Sequence, residues 1–83
     1  METINGFVIV ASLHTPAGGG TIPGRFIVVE RPGVDHIAAF QGFRDGKWDD
    51  SWSCGHYGLT LAEGFAYLAS KLPAAQRLAA VTR

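Results

Sequence analysis

Asp45-Gly46 stands between two stretches of alternating polarity, and it limits the fold more than any other part of the chain. A two-residue type I′ turn needs positive φ at both central positions, and Asp-Gly supplies this at little steric cost. Setting Arg44 opposite Lys47 places Phe43 opposite Trp48, Gln41 opposite Asp50, Ala39 opposite Trp52 and Ile37 opposite Cys54. In this register the large apolar residues other than Phe40 fall on one face, while Asp49, Ser51 and Ser53 fall on the other. A slip of one residue would mix the two sets, so burial of one face specifies the pairing.

The flanking segments extend this hairpin into a sheet. Gly6–His14 is rich in β-branched residues and predicts a strand, with Phe7, Ile9, Ala11 and Leu13 on one face. Thr15–Gly24 (TPAGGGTIPG) predicts a flexible loop. Arg25–Arg31 predicts a second strand, apolar on both faces and suited to a central place. Pro32-Gly33-Val34-Asp35 makes a turn.

After Leu59, Thr60-Leu61-Ala62-Glu63 has the spacing of a capping box, and Leu61, Phe65, Leu68 and Leu72 follow at helical intervals. Pro73 ends that helix, and a short second helix can restart after it. The expectation is a single α+β domain over residues 1–83. It has an antiparallel sheet of three or four strands in β-β-β-β-α order, with one C-terminal helix packed on the Trp48/Trp52 face.

Charge and cysteine content narrow the function classes. Seven basic and seven acidic residues give no net charge with histidines neutral. Nucleic-acid binders draw most of their affinity from a basic excess, which makes nucleic acid an unfavoured partner. A neutral chain has little protection against self-association and is compatible with a homodimer. Cys54 is the only cysteine, the first residues lack the basic segment of a signal peptide, and the run Phe7–Ala11 is too short to span a bilayer. These features predict a cytoplasmic protein, in the host bacterial cytoplasm if it is carried by a phage.

The candidate sites differ in how far their residues support chemistry. Cys54, His56 and Tyr57 could hold a nucleophile and base or a small ligand, but the register puts Cys54 on the buried face opposite Ile37. His14, His36 and His56 match no metal-ligand spacing. Gly18-Gly19-Gly20-Thr21 lacks the lysine and following helix of a phosphate loop. No catalytic residue, metal or cofactor is assigned. A protein-contact surface is expected instead, from Phe40 and one face of the strand beginning at Arg25, together with the charged tip Arg44, Asp45, Lys47, Asp49 and Asp50.

The segment Ile37–Leu72 orders a hairpin, an aromatic-glycine strand end, a Thr-x-x-Glu cap and an Ala/aromatic helix. This order resembles the three-stranded-sheet DNA-binding domains of plant ethylene-response factors and integrases. Those domains lay the sheet face away from the helix in the major groove. The matching face here carries Ala38, Phe40, Arg44, Lys47, Asp49, Ser51 and Ser53, so acidic and apolar residues stand where those families place cations. By type, a short chain rich in alanine and glycine looks like the accessory proteins of phages and prophages, of which anti-CRISPR proteins are the best known. That resemblance implies a non-enzymatic inhibitor that binds a Cas subunit of its host and occludes a surface of the effector complex.

Overall fold

The computed structural model describes residues 2–14 and 23–71. Most of the glycine-rich segment, and the predicted restart after Pro73, lie outside the described residues. The strands are β1 (Thr3–Ile4), β2 (Phe7–His14), β3 (Gly24–Arg31), β4 (Asp35–Arg44), β5 (Lys47–Trp48) and β6 (Ser53–Leu59), followed by helix α1 (Leu61–Ser70). They form one antiparallel sheet in the order β1-β2-β3-β4-β5, with β6 also pairing β4. The architecture is α+β, with more strands than the three or four expected.

Short turn signals set the chain reversals. Asp45 and Gly46 have φ of 52° and 77°, and the expected pairs Phe43 with Trp48 and Arg44 with Lys47 form. Asn5 and Gly6 have φ of 50° and 80° and make a second such hairpin, which pairs Ile4 with Phe7. Gly33, at φ 74°, closes the turn into β4, where the Val34 N–H donates to the Arg31 carbonyl.

Beyond the hairpin tip the expected register fails. Phe40 pairs with Ser53, Ala38 with His56 and His36 with Leu59, in place of Ala39 with Trp52 and Ile37 with Cys54. The chain leaves the ladder at residues 50–52, and β6 contains positive-φ residues at Cys54 (54°) and Gly58 (73°). Extra residues of this kind bulge the strand and reset which side chains oppose one another. Cys54 is therefore exposed, not buried opposite Ile37.

A register shift between Ile9 and Ala11 makes a similar change in β2. Ile9 pairs with Val29 and Ala11 with Val28, and these two β3 residues point to opposite sides of the sheet. Phe7, Ile9, Ala11 and Leu13 do not share a single face.

The two faces are closed by different means. On one, Ile27, Val29, Ile37, Ala39 and Ile4 form the buried cluster, with Phe7, Ile9 and Trp52 packed against it. Among the described residues, no helix covers this face. The sheet curls instead, bringing Phe7 of β2 to 6.4 Å from Trp52 and His14 of β2 to 5.6 Å from Trp48 of β5. The side chains of strands distant in the sheet order thus meet over the core.

On the other face, α1 lies against Val28 and Ala38, with Gly64 and Leu68 as its buried seam. A Cβ on Gly64 would fall 2.9 Å from a Val28 methyl, so glycine allows the close approach. The helix thus takes the face of Ala38 and Phe40, not the expected Trp48/Trp52 face. Small residues on both sides make that approach short, while the bulky aromatics close their own face by curling. Leu61 and Phe65, expected toward the sheet, are 41% and 48% exposed.

The capping box forms as predicted. The Thr60 hydroxyl accepts from the Glu63 N–H, and the Glu63 carboxylate accepts from the Thr60 N–H.

Candidate functional site

The β4–β5 hairpin is held at its base by contacts to β3 and to the N-terminal segment. Arg25 is 3% exposed, and its guanidinium carbon lies 4.0 Å from the centre of the Trp48 ring. Its Nε donates to the Gln41 side-chain oxygen at 2.9 Å, and its two terminal nitrogens reach the Glu2 carboxylate at 3.0 and 2.9 Å. These bonds hold the Glu2 carboxyl below the ordinary carboxylate range, the hydrogen bond from Arg25 being the main cause. The Gln41 amide nitrogen donates to the Asp49 carbonyl, and the Asp49 N–H donates to the Gly42 carbonyl. Phe43 then meets Trp48 edge to face, with ring centres 4.8 Å apart. Trp48 is fixed on its cation side, its Phe43 side and its His14 side.

Around that tryptophan the tip forms an open depression of about 360 Å³, lined by Arg44, Asp45, Lys47, Trp48, Asp49 and Asp50. Arg44 reaches the Asp49 carboxylate at 3.3 Å and is 74% exposed. An exposed pair of this kind contributes only about 0.2–1 kcal/mol, so either charge can change partners at small cost. Asp45, Lys47 and Asp50 are exposed and make no ion pair among the described residues. The depression offers two cations, three carboxylates and one aromatic edge on a rigid hairpin. Its open form suits contact with another surface better than enclosure of a reacting molecule.

The tip brings together five of the residues expected at the contact surface: Arg44, Asp45, Lys47, Asp49 and Asp50. Arg25 and Phe40 lie elsewhere. Arg25 is committed to the internal contacts just described. Phe40 is half-buried on the helix-covered face, with its ring 5.2 Å from that of Phe26. Phe26 in turn lies 6.4 Å from Tyr67 of α1. Phe40's face is therefore not an open sheet surface. The helix lies on the Ala38/Phe40 face, which the expected packing left free of it.

The Cys54, His56 and Tyr57 group is divided between the two sides of the sheet. His56 turns to the helix side, 4.7 Å from the Tyr67 ring. The Tyr57 hydroxyl accepts from Trp52 Nε1 at 2.8 Å on the core side. His14 and His36 also separate: His14 pairs across the ladder with Arg25 at one end of β3, and His36 pairs with Glu30 near the other. Among the described residues, no three histidine, cysteine or carboxylate side chains converge as a metal would require.

One cluster was not anticipated from the sequence. Arg31 grips Asp35 in two bonds of 2.6 and 2.7 Å, and the Asp35 carboxylate also accepts the Gly58 N–H at 2.6 Å. The hydrogen bond from Arg31 is the main cause that holds the Asp35 carboxyl below its ordinary range. Opposite charges flanking Pro32-Gly33-Val34 were the available signal. The cluster ties β6 to the β3–β4 turn and presents a half-buried arginine beneath Tyr57, 5.5 Å from its ring centre.

No protein-family model, curated protein or solved structure matches the chain.

Proposed function

We propose that the protein is a non-enzymatic, stoichiometric binding protein whose contact surface is the β4–β5 hairpin tip. The observation that carries this reading is the depression of alternating charges around Trp48. Its base is locked by the Arg25–Trp48 contact, and its rim charges are exposed or only weakly paired. A rigid aromatic centre with an adaptable charged rim is the chemistry by which protein interfaces gain affinity and discriminate among partners.

The resemblance in size and composition to phage-borne inhibitors makes a Cas subunit of the bacterial host the first partner to test. In this reading the protein acts by occupying a surface of the effector complex, in the manner of an anti-CRISPR protein. Interference against a targeted plasmid in a CRISPR-active bacterium is the functional test. Expression of this chain should restore plasmid transformation, and Lys47→Glu with Asp50→Lys should abolish the effect without unfolding the protein. Unchanged interference across the effector types tested would remove the inhibitor reading.

A further inference from the structure

The two lateral edges of the sheet are built differently. β6 contains positive-φ residues at Cys54 and Gly58, and such kinks spoil an edge for strand addition. β2 has one bulge, at Val10, and pairs regularly with β3 from Ala11 to His14. Its outer side is covered by β1 only at Phe7 and Val8, and by the bond from the Ile9 N–H to the Glu2 carbonyl. From Val10 to His14 no described strand pairs with that side. The segment Val-Ala-Ser-Leu-His contains no lysine, acidic residue or proline. Those are the residues with which natural edges resist pairing.

We infer that this open edge pairs with the same edge of a second copy, β2 against β2 in antiparallel fashion about a two-fold axis at Ser12. The slot is bounded at one end by Glu2 and at the other by the end of β2, so the segment it admits matches the segment that forms it. In that register Ser12 meets Ser12 of the second copy and Ala11 meets Leu13. No like charges face one another. A second copy fits better than a charged partner, because the edge carries no lysine, arginine or carboxylate and the whole chain has no net charge with histidines neutral. A strand pair this short makes a small interface, so the dimer is reversible and depends on concentration. The hairpin tip belongs to β4 and β5 and meets β2 where His14 packs on Trp48; the dimer does not require the tip to bind anything.

Sedimentation of the full chain over a concentration series is the test. The wild type should pass from monomer to dimer. Ser12→Lys, which sets two cations across the axis, should weaken association by about tenfold or more while leaving the circular dichroism spectrum unchanged. A second variant covers the case in which Ser12→Lys does not fold: Ser12→Cys combined with Cys54→Ser. With diamide as oxidant it should form an intermolecular disulfide faster than the wild-type protein does through its exposed Cys54. A monomer at every concentration, a dimer that Ser12→Lys leaves intact, or cross-linking no faster than wild type would each overturn the proposal.

Discussion

The guanidinium of Arg25 lies 4.0 Å from the centre of the Trp48 ring, which joins the central strand β3 to the hairpin that carries the candidate surface. The same guanidinium binds Gln41 and Glu2, so one buried cation ties the N-terminal segment, β3, β4 and β5 together. Arg25→Ala should destabilise the fold by about 2–4 kcal/mol, because it removes packing under Trp48 and leaves the Gln41 oxygen without its donor. Arg25→Lys should recover only part of this loss, since an ammonium cannot stack flat and reach both partners. Chemical denaturation monitored by tryptophan emission measures both effects.

Gly64 sets how close the helix comes to the sheet. A methyl group added at this position would meet fully buried Val28 at 2.9 Å, closer than van der Waals contact. Helix propensity alone favours alanine by about 1 kcal/mol, but forced separation of the layers costs about 1–3 kcal/mol. Gly64→Ala should therefore lower the unfolding free energy, by up to about 2 kcal/mol. Gly64→Ala combined with Val28→Ala should regain part of what the helix substitution loses. Urea titration of the single and double variants checks both expectations.

Cys54 is exposed and has φ of 54°, a backbone region that costs a non-glycine residue about 1–2 kcal/mol. Its thiol should react with an aromatic disulfide reagent in the native protein nearly as fast as in denaturant. Cys54→Gly should raise stability by a few tenths to about 1 kcal/mol. Slow native labelling would place the residue in the core and contradict the β6 register.

Acid should weaken the fold through Glu2 and Asp35. Each carboxyl is held below its ordinary range, chiefly by a hydrogen bond from arginine, so each binds fewer protons in the folded state than in the unfolded state. The stability they contribute is complete above the ordinary carboxylate range and is lost as pH falls through the depressed folded values. Asp35→Asn should lower the unfolding midpoint at neutral pH and flatten its dependence on acid. Denaturant titrations repeated across the acid range will show whether both changes occur.

How much of this was legible in the sequence depended on the range of each signal. Asp45-Gly46, Thr60-x-x-Glu63 and Pro32-Gly33 act within a few residues, and each formed the expected turn or cap. Asn5-Gly6 carried an equally strong hairpin signal, obscured because the strand before it is only two residues long. The choice of sheet face for α1 could not be read from alternation. It depended on Gly64 and Ala38 allowing close approach and on the sheet curling over its own aromatics, both consequences of distant parts of the chain meeting.

The bulges at Val10 and in β6 had no turn signature that alternation could register, and they moved Cys54 out of the core. The charged tip was legible because its residues are neighbours in sequence. Arg25 and Phe40 were misplaced because their surroundings are assembled from distant strands.

Direct binding of this protein to purified CRISPR effector complexes, measured by interferometry with wild type and Lys47→Glu/Asp50→Lys in parallel, tests the central claim. Saturable one-to-one binding is predicted, weakened about thirtyfold or more in the tip variant if the tip is a true hot spot. Binding that the variant leaves unchanged, or no binding to any effector, would contradict it.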